Sequence, residues 1–174
     1  MKFNLSDFGK HKNFAPLSLT KPIGCIRMGI FTNVERYVYY LPEAHIGYET
    51  EDYLTHKYPR LDCDLTVNAC VIPNPEFIAA LLHLEENQSL YDEDRLLAQK
   101  GNGAEPIKFS GTKLIILEER WDIFQKNVAA LDLDFNQVTE GRKTQALPPS
   151  NLLIGPKSRL FIEQGAMIEG CTLN

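Results

Sequence analysis

Apolar and polar residues alternate at the very start of the chain, where Phe3 and Leu5 in MKFNL predict a short first strand. Residues 6–30 follow neither a strand nor a helix period and hold two prolines and three glycines, which marks an irregular segment. TNVERYVYYL then reads as a helix. Thr32 stands three residues before Glu35, the spacing of a reciprocal cap, and Val34, Tyr37, Val38 and Leu41 form its inward stripe. TEDYLTHKY predicts a second short helix with Tyr53, Leu54 and Tyr58 on its apolar side.

DLTVNACVI has strand composition and stops at Pro73. NPEFIAALLHLEEN is the clearest helix, with Asn74 as cap, Pro75 at the first helical position, and Phe77, Ile78, Leu81 and Leu82 along one face. Ser89 before Asp92 predicts another short helix, ended by Gly101. EPIKFSG and KLIILEE read as strands. In WDIFQKNVAALDLDF, Trp121, Phe124, Val128 and Leu131 recur at helical spacing and predict a helix packed across a sheet. Strands alternating with helices imply an α/β layer architecture.

QVTEGRKTQALPPS is polar and broken by Gly141, Pro148 and Pro149, and the boundary between two kinds of organisation is placed there: residues 1–147, then 148–174. In the last stretch Ile162 and Ile168 are six apart, as are Ala166 and Thr172. Ile154 and Ser158 repeat the internal offset of four, out of phase by two residues. Such a pattern suits a β-helix, in which each short strand sends one apolar side chain inward. A hairpin or extended tail is the competing reading, because one rung cannot bury its own face.

Composition narrows the class. Hydrophobic residues make up 44% and charged ones 24%, too apolar for a disordered chain. The net charge of −5 is uneven: residues 1–50 carry +2, residues 51–100 carry −6 and residues 101–174 carry −1. An anionic ligand is therefore expected near the opening third. Long-range attraction to a nucleic acid or an acidic membrane is not. Cys25, Cys63, Cys70 and Cys171 lack paired metal-ligand spacing and fit a reducing compartment, and no apolar run reaches the length of a membrane span. A cytoplasmic protein is expected.

APLSLTKPIGCIRMGIFT, TEDYL, VNACVIPNPEFIAAL, WDIFQKN and NLLIGPKSRLFIEQGAMIEGCTLN occur in this order along nearly the whole chain. Together they resemble the bacterial GlmU-like sugar nucleotidyltransferases. The resemblance implies a reduced, Rossmann-like three-layer αβα nucleotidyltransferase domain followed by the first rungs of a left-handed hexapeptide β-helix. Further rungs are expected after Asn174, so the chain looks like the front of a longer protein, a homotrimer through its β-helix. The implied substrates are a nucleoside triphosphate and a sugar 1-phosphate, joined to give an NDP-sugar and pyrophosphate, with Mg²⁺ as cofactor.

Nucleotidyl transfer needs cations around phosphate and carboxylates that hold the metal. PLSLTKP is similar to the segment that follows the glycine-rich loop in active relatives. Lys21 and Arg27 are the expected catalytic phosphate contacts, with hydroxyls from Ser18 and Thr20. Both cations could equally be solvated or paired locally. Asn68, at a strand end, either touches substrate or stabilises a turn.

Three departures from the family pattern stand out. SDFGKHK replaces the Gly-x-Gly-x-Arg loop, leaving phosphate to Lys10, His11 and Lys12 at most. Asn68-Ala69-Cys70 stands where a Gly-Asp would supply the metal carboxylate. Fewer than 150 residues precede the repeat, which is short for two substrate pockets.

Asp7, Asp62, Asp64, Asp132 and Asp134 remain as carboxylates without an assigned metal role, the last two either paired on an extended segment or solvated at a helix exit. Trp121 reads as a core anchor, with a base-stacking platform as the alternative, and Cys70 reads as buried. A non-catalytic nucleotide-sugar binding or assembly domain of a hexapeptide acyltransferase is the competing function.

Overall fold

The computed structural model describes residues 1–174. Its strands are β1 (Lys2–Ser6), β2 (Arg27–Met28), β3 (Phe31–Thr32), β4 (His45–Glu49), β5 (Leu65–Asn68), β6 (Val71–Ile72), β7 (Gln88–Asp92), β8 (Arg95–Lys100), β9 (Glu105–Lys108), β10 (Ile115–Ile116), β11 (Leu152–Leu153) and β12 (Thr172–Leu173). The helices are α1 (Asn33–Tyr40), α2 (Pro75–Leu82), α3 (Asp122–Gln125) and α4 (Asn127–Thr139). The chain divides into two compact units, Met1–Asp134 and Phe135–Asn174. No helix is long and apolar enough to cross a membrane.

The first unit is mixed α/β around a six-stranded sheet in the order β4-β1-β5-β8-β7-β9. β1 is parallel to β4 and to β5, β8 is antiparallel to β5 and to β7, and β9 is parallel to β7. Register and the two-residue alternation of strands sort the side chains. Phe3, Leu5, Val67, Leu90 and Ala98 belong to one buried cluster that includes Tyr37 of α1 and Phe77, Ile78 and Leu81 of α2. Phe3 meets Tyr37 edge to face, with ring centroids 5.4 Å apart.

The opposite face carries Asn4, Thr66, Gln99 and Ser89, in register with one another, and Ser6, which lies opposite Asn68. Loops cover it in part: Asn4 donates to Leu61 O at 3.0 Å and accepts from Leu61 N at 2.8 Å. Two helical layers were expected from the sequence; α1 and α2 share a single face.

Local signals explain most elements. Thr32 accepts from Glu35 N, and Glu35 accepts from Thr32 N, so the capping box forms as the spacing predicts. Asn74 accepts from Phe77 N at 2.8 Å and starts α2 ahead of Pro75. Asn68 accepts from Cys70 N at 2.9 Å, an Asx-type turn that ends β5 and leads into β6.

Three expectations are corrected. Residues 88–100 form the β7–β8 hairpin rather than a helix. Residues 50–58 hold only a short 3₁₀ turn, Asp52–Leu54. In α3 and α4 the expected inward stripe faces out, with Phe124 78% and Val128 62% exposed, while Ile123, Ala130 and Asp134 are buried.

In the second unit β11 and β12 pair in parallel, Leu152 opposite Thr172. Side-chain amides hold neighbouring turns of chain together. Gln145 donates to Ala166 O and accepts from Gly165 N, while Asn151 donates to Ile168 O and accepts from Cys171 N. Arg142 pairs with Glu163 and lies 4.8 Å over the Phe161 ring. Ile162 is buried and Ile168 half-buried. Parallel pairing rules out a simple hairpin.

Candidate functional site at the carboxyl end of the first strand

In open parallel sheets, ligands bind beyond the carboxyl ends of strands where successive connections leave in opposite directions. β1 is such a place, since the chain proceeds from it to β4 on one side and then to β5 on the other. A cleft of about 690 Å³ opens there. Its wall includes Asp7 to Gly9 and His11 beyond β1, Glu49 at the end of β4 and Thr50 to Asp52 beyond it, and it reaches Thr66 and Gln99 on the polar face.

The chain leaves β1 through a tight turn. Phe8 and Gly9 have φ of +40° and +73°, and Lys10 N donates to Asp7 O at 2.8 Å. Positive φ at both central residues is the requirement of a type I′ turn, which glycine meets at no steric cost. The turn brings His11 back against Asp7, with both side chains buried.

Asp7 is the hub. Its Oδ1 accepts from Ile23 N at 3.0 Å, and its Oδ2 accepts from Thr50 Oγ1 at 2.6 Å and lies 2.8 Å from His11 Nδ1. A carboxylate only accepts, so Nδ1 carries the hydrogen. His11 Nε2 is then turned toward the Tyr53 hydroxyl, 3.1 Å away. Lys10 reaches Glu118, which Arg95 also approaches at 3.4 Å.

Ser18, Thr20, Lys21, Arg27 and Asn68, assigned to phosphate and substrate from sequence, lie outside the lining of this cleft, whereas His11 lines it. Ser18 is buried and donates to His11 O at 2.7 Å. Thr20 is exposed and Lys21 half-buried, in a loop tied to the end of β1 through the Ile23–Asp7 bond. Arg27 is exposed and donates to Ile30 O and, at 2.9 Å, to Glu35. That pairing helps hold the Glu35 carboxyl below its ordinary range: partial burial pushes it up, and the Thr32 N–H and the Arg27 guanidinium outweigh that. Asn68 donates to Leu96 O at 2.8 Å as well as accepting from Cys70 N.

Asp134 is neither solvated nor set for a metal. It is fully buried against Arg36. Trp121 is half-exposed and does not anchor the core.

Magnesium takes hard oxygen ligands. At the end of β1 the Asp7 oxygens already receive three donors. At the end of β5 both ends of the Asn68 amide are used, Ala69 has no ligand atom, and the Cys70 thiol is soft and buried. Burial pushes that thiol up to about 12, so it stays protonated near neutrality. Burial likewise raises Cys63. No group of three or more His, Cys, Asp or Glu side chains converges as a metal cage anywhere in the chain. At neither strand end do the residues present fit a protein-held magnesium ion.

A profile of the sugar nucleotidyl transferase family matches residues 4–143, more than three quarters of the chain. The chain belongs to the sugar nucleotidyl transferase family. No curated protein matches it. The matched region of this family member contains the carboxyl end of β1 from Asn4, the turn at Phe8–Gly9, the Asp7–His11 pair and the whole cleft.

Sequence reasoning missed most of this centre. His11 was grouped with Lys10 and Lys12 as a phosphate contact, and Asp7 had no partner. The available signal was the four-residue spacing of Asp7 and His11 around a glycine. Thr50 and Tyr53 lie about forty residues away in sequence, and only the pairing of β1 with β4 brings them in.

Proposed function

We propose that this protein transfers a nucleotidyl group to a sugar 1-phosphate. A phosphate oxygen of the sugar 1-phosphate attacks the α-phosphorus of a nucleoside triphosphate, the α–β bridging bond breaks, and pyrophosphate leaves with that bonding pair. NDP-sugar is the product, and no covalent enzyme intermediate is needed. The observation that carries this reading is the family match over the unit that holds a ligand-sized cleft at the carboxyl ends of β1 and β4. Lys21 and Arg27 supply the positive charge for phosphate and Thr20 a hydroxyl. Arg27 is exposed, so a phosphate can reach it by competing with Glu35.

A second reading has a specific observation in its favour. Asp7 is fully engaged, and Asn68-Ala69-Cys70 offers no carboxylate, as suits a domain that binds nucleotide sugars without turning them over. In either case the parallel coil of the second unit serves as a turn of a left-handed β-helix, through which copies of the chain would assemble as a trimer.

Pyrophosphate release separates the two readings. The protein is incubated with magnesium salts of several nucleoside triphosphates and a panel of sugar 1-phosphates. Release with at least one pair, lost in Arg27→Ala, supports transfer. Tight binding of a nucleotide sugar without release for any pair supports the binding domain instead.

A further inference from the structure

The cleft is lined by acceptors. Glu49, Glu51, Asp52 and Asp64 surround it besides Asp7, and Arg60 is the one lysine or arginine in its wall. Arg60 faces Glu49 at 3.7 Å, and the remaining carboxylates repel a polyphosphate at close range, where each like-charge contact costs energy. They suit a neutral ring bearing hydroxyl groups, each able to donate one hydrogen bond. Thr66 and Gln99 of the polar sheet face add further partners of that kind.

Within this wall one acceptor is set apart. Asp7 fixes the Nδ1 hydrogen of His11, so that in its neutral form the imidazole presents a bare lone pair at Nε2. Thr50 Oγ1 lies 2.6 Å from Asp7 and 3.3 Å from His11 Nδ1, and holds the pair in place. The position opposite Nε2 is filled by a hydroxyl, that of Tyr53 at 3.1 Å. Tyr53 is 60% exposed and sits on the short Asp52–Leu54 turn, where its neighbour Leu54, not Tyr53, enters the interior. A phenol so placed is easily displaced.

Resting on the nucleotide-sugar reading above, we propose that Asp7 and His11 form the ring-hydroxyl acceptor of this cleft. The ligand's sugar ring, either the ribose of the nucleotide or the ring of the sugar phosphate, donates to His11 Nε2 in the place now taken by the Tyr53 hydroxyl. Asp7 is a positioning residue, since it acts through His11. Tyr53 holds the site closed in the absence of ligand, and the phosphates stay outside the carboxylate wall.

The test uses the full chain with ¹⁵N-labelled histidine. Each of four nucleosides, glucose 1-phosphate, N-acetylglucosamine 1-phosphate and inorganic pyrophosphate is titrated separately. At least one ring-bearing probe is expected to move the His11 Nε2 resonance, and a nucleoside response or a sugar-phosphate response identifies which ring binds. Tyr53→Phe removes the competing hydroxyl and is expected to tighten that probe about five-fold, the worth of roughly one net hydrogen bond. His11→Phe should weaken binding of that probe, read from the probe's own resonances, and His11→Gln, which keeps an acceptor, should restore part of the affinity.

A movement caused by pyrophosphate alone overturns the proposal, as does no response to any probe, or unchanged or weaker binding in Tyr53→Phe. The transferase reading fails separately. Absence of pyrophosphate release with the histidine response intact removes transfer and leaves the acceptor. Release that is indifferent to Tyr53→Phe removes the acceptor and leaves transfer.

Discussion

Arg36 and Asp134, ninety-eight residues apart, form a two-pronged ion pair sealed from solvent, with Nε to Oδ1 and Nη2 to Oδ2 both 2.7 Å. Arg36 also donates to Asn33 Oδ1 and to Met28 O, while Asp134 Oδ2 accepts from Ile30 N at 2.8 Å. One pair thus pins α1 and α4 to the β2–β3 hairpin, which begins at Arg27. Burial of two charges is costly, and their worth lies in being complete together. Asp134→Ala leaves a buried guanidinium unpaired and is expected to cost about 3–5 kcal/mol in urea unfolding. The double variant with Arg36→Met should lose clearly less than the two single losses added, the non-additivity of a contacting pair.

Gly29 closes the same hairpin at φ +72°, and a Cβ there would come within 2.5 Å of Asp134 Oδ2. Gly29→Ala therefore meets both backbone strain and a crowded ion pair. A loss of about 1–3 kcal/mol is expected, read as a lowered midpoint of chemical unfolding. A thermal midpoint equal to that of the wild type would contradict the packing of this turn.

The exposed stripe on α3 and α4 gives a contrast. Phe124→Ser should change stability by no more than about 0.5 kcal/mol, as at other surface positions. Ala130→Leu, which overfills a fully buried site, should cost about 1–3 kcal/mol. The reverse ranking would mean that the helix faces inward as its apolar spacing suggested.

Those apolar positions show where the sequence stops being readable. A 3.6-residue stripe predicts the buried face only if one helix runs unbroken, and here α3 ends at Gln125 and α4 starts at Asn127. Arg36 then draws Asp134 inward and sets the phase of α4 by electrostatics, which periodicity does not register.

The β7–β8 hairpin was hidden in a similar way. Ser89 and Asp92 have cap spacing, but Ser89 instead donates to Gly103 O, just past the far end of β8. By contrast Thr32, Glu35, Asn74 and Pro75 act within one turn of their own helix, and those starts were legible. The cleft was not, because Asp7 and His11 are local to each other while Thr50 and Tyr53 arrive through the pairing of β1 with β4.

Asp122 provides a pH test. Partial burial pushes its carboxyl up, but the N–H of Glu118, the Lys126 amine and the N–H of Glu119 together hold it below the usual range. A lowered folded-state value means that the group stabilises the protein above its unfolded value near about pH 4 and that this contribution fades as pH falls through the folded value. Asp122→Asn should thus be less stable than wild type at pH 7, and the gap should close on acidification below about pH 4. A gap that is constant across that range would contradict the assignment.

The account's central claim is that ligand occupies the cleft beyond β1. Its most direct test follows the backbone amide resonances of the full chain as UDP-glucose, GDP-glucose and ADP-glucose are each added to saturation. For whichever sugar nucleotide binds, the amides of residues 7–11 and 49–53 are predicted to shift most. Shifts confined to other parts of the chain, with those amides still at their starting positions, would contradict it.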